Sequence, residues 1–303
     1  MQFPRYTFAP SPRVLDPRAT TSREAGSMRY PRTAAAGRFA AAPAGLRAGL
    51  AGALSILLLG CNEEEPVQPE PTPTGSIELE FHHSVGDSAL VMGTSWYTNA
   101  VGNQYRVETL RYYISDVAIR APDAEVKFPI AHLLDAERPE TLEIRLDGIP
   151  EGHYHEIAFT FGLASEWNQT GRLPANPPNL EMAWPNVLGG GYHYMKLEGE
   201  FLDAAQHPTT FRTHIGRLVS GSVVHDHSFR LSFIAHANVV RNEVRHAEIL
   251  VDLNEWYTNP YDVDLETHVA GIMEDTAAQD LLQANGADVF RLGQVEGGGH
   301  EEP

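Results

Sequence analysis

The chain has 303 residues, 42% of them hydrophobic, with a formal net charge of −18 and one cysteine; this composition supports a packed core and excludes disorder throughout, an internal disulfide framework and a thiolate metal cluster. Residues 1–60 hold eight arginines and two acids, net +6, which leaves −24 for the remainder, where all fourteen histidines lie and Lys127 and Lys196 are the only lysines. So acidic a region cannot neutralise phosphates, which excludes nucleic acid as a main partner.

In chain order, the first feature is an apolar run at residues 48–59 (AGLAGALSILLL). It is shorter than the roughly 20 residues that a spanning helix needs. Arginines precede it and Leu58-Leu59-Gly60-Cys61 follows it, the pattern of a bacterial lipoprotein signal peptide whose cysteine is lipidated. Residues 1–60 therefore read as a leader, with Met28 as the expected true start. Asn62 after the cysteine favours the outer membrane over inner-membrane retention. Residues 61–75 carry Glu63-Glu64-Glu65 and Pro66, Pro69, Pro71 and Pro73, an extended tether between membrane and domain.

A folded domain is expected over residues 76–293. Ile77, Leu79, Phe81 and His83 alternate with Glu78, Glu80 and His82. Leu142, Ile144 and Leu146 repeat this period of two, as do Phe229, Leu231 and Phe233, and Ile249, Val251 and Leu253. Gly102-Asn103, Pro122-Asp123, Asp147-Gly148 and Pro150-Glu151-Gly152 punctuate the runs. Short alternating strands with frequent turns predict an antiparallel sandwich or barrel. Residues 162–191, with Trp167 and Trp184, form a loop too long for a mere connector. A helix is expected from a capping box at Thr276-Ala277-Ala278-Gln279, with Leu281 and Leu282 on its apolar side and Asn285-Gly286 as its stop. Residues 294–303, with His300, read as a flexible Gly-rich acidic tail.

The chain has no Gly-x-Ser-x-Gly elbow and no phosphate loop, and Cys61 is committed to lipid, so no familiar nucleophile is available. Histidine is the chemistry-bearing residue. By alternation His83 lies on the apolar face of its strand, and His193 shares a face with Met195, Leu197 and Phe201. An imidazole there needs either a hydrogen-bond partner or a metal. His214, in Phe211-Arg212-Thr213-His214-Ile215-Gly216, is a third candidate. Two or three imidazoles without thiolates suit copper or zinc better than calcium, and Met182 or Met195 could add a thioether. His153-Tyr154-His155 and His225-Asp226-His227 place two imidazoles on one strand face, where each pair could chelate.

Several motifs in fixed order resemble the MbnP-like family. These are Phe81-His82-His83-Ser84-Val85-Gly86, Tyr97-Thr98-Asn99-Ala100-Val101-Gly102-Asn103-Gln104-Tyr105 and Leu110-Arg111-Tyr112-Tyr113-Ile114-Ser115-Asp116-Val117. Next come Met182-Ala183-Trp184-Pro185-Asn186, Gly191-Tyr192-His193-Tyr194-Met195-Lys196-Leu197-Glu198-Gly199 and Thr213-His214-Ile215-Gly216. The last are Gly271-Ile272-Met273 and Asn285-Gly286-Ala287-Asp288-Val289-Phe290.

The resemblance implies an all-β, antiparallel immunoglobulin-like or Greek-key β-sandwich with long loops and one short C-terminal helix. It implies copper binding in the periplasm or on the cell surface, and together with the lipobox at Cys61 the expectation is a lipid-anchored copper-binding protein, not an enzyme. Its metal ligands would be His83, His193 and His214, with Cu(I) as the expected ion and His268 as a further matching position. Trp184 would be the residue oxidised to kynurenine by a di-haem cytochrome c peroxidase-like partner of the MbnH kind. A copper transporter is a second implied partner. Where close relatives have Tyr-Trp-x-Trp, this chain has Ala183-Trp184-Pro185-Asn186. Two other readings remain open: a surface ligand-binding or adhesion module using the long loop, and a metal-dependent enzyme.

Overall fold

The computed structural model describes residues 72–268 and 271–296. The leader, Cys61, most of the tether and His300 lie outside the described residues. The chain forms β1 (Thr74–Val85), β2 (Ser88–Ala89), β3 (Tyr97–Thr98), β4 (Gln104–Ala121), β5 (Ala124–Asp135), β6 (Glu143–Pro150) and β7 (Gly152–Phe161). A short helix α1 (Pro177–Glu181) follows, then β8 (His193–Leu202), β9 (Pro208–Gly216), β10 (Leu218–Ser220), β11 (Val223–His225), β12 (Phe229–Val239) and β13 (Val244–Asp252). The helix α2 (Thr276–Val289) runs directly into β14 (Phe290–Val295). Ordered strand thus begins two residues before the expected domain start and ends two residues past its expected end. No helix among the described residues is long and apolar enough to cross a membrane.

Two sheets make a sandwich. The larger runs β12-β7-β4-β8-β9, with β3 and β5 also on β4, and the smaller runs β14-β13-β1-β2, with β6 on β1. Their facing sides meet through aromatic rings: Phe81 on Phe159, and Tyr112, Phe159 and Phe161 around Phe290. Alternation behaves as read from the sequence, since Ile77, Leu79, Phe81, Ile249, Val251 and Leu253 are all buried. Such rows drive folding through the apolar area they remove from water.

The all-β sandwich and its C-terminal helix match the expected fold, with one parallel pair inside the smaller sheet. β1 and β13 run parallel from Ser76–Val244 to Ser84–Asp252. The cause lies in the connection before β13. Asn242 takes a left-handed conformation at φ 58°, and its N–H donates to Thr74 O, so the chain leaves β12 in the larger sheet and turns back at once along β1. A turn of four residues fixes the direction of β13, and β1 accepts it.

The helix differs in detail from its sequence signature. Its N-cap is Asp275, one residue earlier, whose carboxylate accepts from Ala278 N. Gln279 is not a capping partner, and Asn285-Gly286 does not end the helix. Asn285 is buried and its amide donates to the carbonyls of Trp256 and Tyr261. Gly286 lies so close to Phe229 that an added Cβ would sit 2.2 Å from the ring. Both residues serve packing where the local sequence suggested termination.

Candidate functional site

The site lies where β8 and β9 pair beneath the long loop. Along this pair Leu197 stands opposite Thr213, Met195 opposite Ile215 and Lys196 opposite His214. Met195 also faces Tyr112 on β4, and Tyr112 reaches Phe290 across the sandwich, so this row looks inward. His214 alternates with it and looks outward. His193 should by simple alternation join the inward row, but the register shifts between His193 and Met195, and His193 stands opposite Gly216. That bulge turns its imidazole onto the face of His214. The two rings stand perpendicular with centroids 4.9 Å apart.

The outer face is normally solvated, as at the exposed Arg212, yet His193, His214 and Trp184 are only 5%, 6% and 3% exposed. The loop over residues 162–191 covers them. It folds back on the start of β8, with Trp184 N–H donating to Gly191 O and His193 N–H to Met182 O. The buried Asn168 locks this return, accepting from Tyr192 N and donating to the Tyr194 hydroxyl. Trp184 then packs edge-on against His193, centroids 4.7 Å apart. Its ring also lies on the β9 backbone at Gly216, where an added Cβ would stand 2.8 Å from the indole. Only glycine leaves that space.

Each imidazole is oriented by an outward partner. His193 Nδ1–H donates to Met182 O at 3.1 Å, which leaves Nε2 as an acceptor, buried and with no partner. His214 Nε2–H donates to Glu198 Oε1 at 2.6 Å, which turns its Nδ1 toward Met273 Sδ at 3.5 Å. A carboxylate or carbonyl behind each ring, with the other nitrogen turned away from it, free in His193 and facing a thioether in His214, is the pattern that prepares histidine for a metal. Burial, with the neighbouring His214, pushes the His193 imidazolium down to about 3, so the ring is neutral. The hydrogen bond from His214 holds the Glu198 carboxyl down at about 2. The indole Nε1–H of Trp184 is likewise buried without an acceptor.

Helix α2 fixes the remaining wall. Gln279, fully buried, accepts from Gly216 N and donates to the carbonyls of Ile272 and Met273. One side chain thereby ties the strand under Trp184 to the segment that carries the Met273 thioether. His227 adds a second tie, its Nδ1 on Gly216 O and its Nε2 on Asp280.

The structure brings together His193, His214 and Trp184, and it does not bring His83 to them. His83 lies on β1 in the smaller sheet, where its Nε2 meets the Tyr112 hydroxyl at 2.9 Å on the inward side. Burial and the adjacent His82 push its pKa down to about 4. Met195 looks inward, away from the pair, and Met182 contributes its carbonyl. The thioether at the site is that of Met273. His225 and His227 do not form a chelating pair, because both nitrogens of His227 are engaged elsewhere. His268 ends a short 3-10 turn, Leu265–His268. The Trp167 indole donates to Asp116 and lies under Arg172. Glu198 and Gln279 carried no signal before the β8–β9 register and the place of α2 were known.

The fold and the site together define an all-β sandwich protein with a buried histidine–tryptophan centre on the outer face of its larger sheet. The sequence profile of the MbnP family matches residues 74–274, and the chain belongs to that family. Among solved structures it is similar to MbnP from Methylosinus trichosporium, at 15% identity and a TM-score of 0.48, over 73% of this chain and 98% of that one. No curated protein matches it.

Proposed function

We propose that the protein binds copper at His193 and His214, beside Trp184, and serves in copper sequestration or delivery rather than catalysis. The observation that carries this reading is the free, buried Nε2 of His193 beside a His214 whose Nδ1 faces a thioether. Both rings are aimed by outward hydrogen bonds. A buried acceptor without a partner costs about 1–3 kcal/mol, and a cation relieves that cost. Two imidazoles and the Met273 sulfur are a soft, low-coordinate donor set that suits Cu(I). The indole of Trp184 is a donor only and cannot ligate as it stands. Cleavage of its C2–C3 bond by two equivalents of peroxide, each reduced to water, followed by hydrolytic loss of C2 as formate, would give kynurenine, whose ketone and aromatic amine could both face the same space. A di-haem cytochrome c peroxidase-like protein of the MbnH kind is the proposed modifying partner, and a copper transporter the proposed recipient.

Cys61 is the proposed lipid anchor, with the domain in the periplasm or at the surface of the outer membrane. An acidic domain favours local enrichment of cations there. Metal analysis and intact-mass measurement on protein from the native host test the reading. One copper per chain and a mass shift confined to the Trp184 peptide are expected. Copper should be lost in His193→Ala and His214→Ala and kept in His83→Gln. Unchanged copper in both of the first two variants would overturn the proposal.

A further inference from the structure

A second cluster of imidazoles lies apart from this site. His153 and His155 alternate onto one face of β7, with Tyr154 between them buried and bonded to Pro150 O. On the neighbouring edge strand β12 the register shifts between Ile234 and Ala237, so that Ala235 and His236 together span His155. Ala235 is buried and His236 points out. The bulge thus re-aims His236 beside the other two. The rings of His153 and His155 are 4.7 Å apart and nearly perpendicular, and His236 stands 5.9 and 6.1 Å from them. One nitrogen from each lies within 4.8 Å of the others, and no carboxylate joins the group.

We propose that His153, His155 and His236 form a separate surface site for a divalent transition-metal ion. Zinc(II) and copper(II) are the chemical class, because imidazole suits them whereas calcium and magnesium require oxygen ligands. Metal–nitrogen bonds of about 2.0–2.1 Å in a tetrahedral site place ligand atoms roughly 3.3 Å apart. Closing from 4.8 Å needs each ring to move by about 1 Å, which exposed side chains on a rigid strand pair achieve through their χ angles. Three protein ligands leave an open position for water or for an exogenous group. Two strands supply the ligands, so binding also clamps the edge strand β12 to β7. The site shares no residue with the proposed copper centre and does not rest on that reading.

The test uses the His193→Ala/His214→Ala double variant, which removes the other imidazole pair. Zinc chloride is titrated into it by calorimetry, and copper(II) sulfate with electron paramagnetic resonance. The expected result is one equivalent of zinc(II) and a copper(II) spectrum with nitrogen hyperfine structure. Adding His155→Ala or His236→Ala should weaken zinc binding about tenfold or more each, because losing even a residue that only orients a ligand costs about that much. These side chains are exposed, so the fold is expected to persist, as circular dichroism would verify. No zinc binding by the parent, or binding unchanged by either added substitution, would overturn the site.

Discussion

Gly216→Ala isolates the contact between β9 and Trp184. The new Cβ would lie 2.8, 2.8 and 2.9 Å from Cε3, Cζ3 and Cη2 of the indole. Carbon atoms in contact prefer about 3.5–4.0 Å, so the ring must retreat by about 0.7–1 Å along one whole edge. It has little room, since His193 packs against it and only 3% of the residue is exposed. Overpacking of this kind costs about 1–3 kcal/mol. Gly216 is not among the glycines with positive φ, so backbone strain adds nothing, and a strand gains slightly from alanine over glycine. Any loss therefore reports the displaced ring. Urea unfolding should show a drop of about 1–3 kcal/mol. If the group at position 184 faces the metal, copper affinity should fall about tenfold for each 1.4 kcal/mol of misplacement. Stability within about 0.5 kcal/mol of the parent, with copper affinity unchanged, would refute both the packing argument and the role of position 184.

Gly286→Ala should also destabilise, although alanine normally favours a helix interior by about 1 kcal/mol, because its Cβ would meet Phe229 at 2.2 Å; a stabilised variant in urea would show that Phe229 yields freely. Gln279→Leu strands the Gly216 N–H and the Met273 carbonyl, while Ile272 O keeps the Asp275 N–H, and the expected cost is about 2–4 kcal/mol. Copper affinity should fall with it, since Met273 loses its tether; a variant that unfolds like the parent would refute the tie. In metal-free protein, burial holds His83 down at about 4 and His193 at about 3, against 6.5 for the unfolded groups. On acidification the unfolded state takes up these protons first, so stability falls from about pH 6 to pH 4 by roughly 1.4 kcal/mol per pH unit for each group. Urea midpoints across that range should fall less steeply in His83→Gln than in the parent, and identical slopes would count against a buried, neutral His83.

Much of the sandwich is readable because period-two alternation survives along β1, β6, β12 and β13, where one face meets the core and the other meets water. The pairing between strands is less readable. Nothing local announces that β13 lies parallel to β1, because a turn at Asn242 decides it. His83 shows the same limit from the other side. Its place on the apolar face was legible, but whether a buried imidazole meets a hydroxyl or a cation depends on the strand opposite. Tyr112 supplies the hydroxyl, and nothing in the sequence around His83 names it.

The histidine pair escaped alternation for a definite reason. A one-residue bulge inverts every side chain beyond it, so His193 belongs to the face that Met195 does not. The packing of α2 shows where the corner lies. A helix that buries Gln279 and Asn285 together with Ala278, Leu282 and Val289 is spending core positions on polar groups, which is unfavourable unless each is satisfied. Those two amides are satisfied by loop and strand backbone: Gln279 by Gly216 and the Met273 segment, Asn285 by the Trp256–Tyr261 turn. In the folded chain, buried amides in a helix next to a glycine-bearing edge strand mark the place where this sandwich holds an irregular, preorganised corner. His214, Met273 and Trp184 meet at that corner.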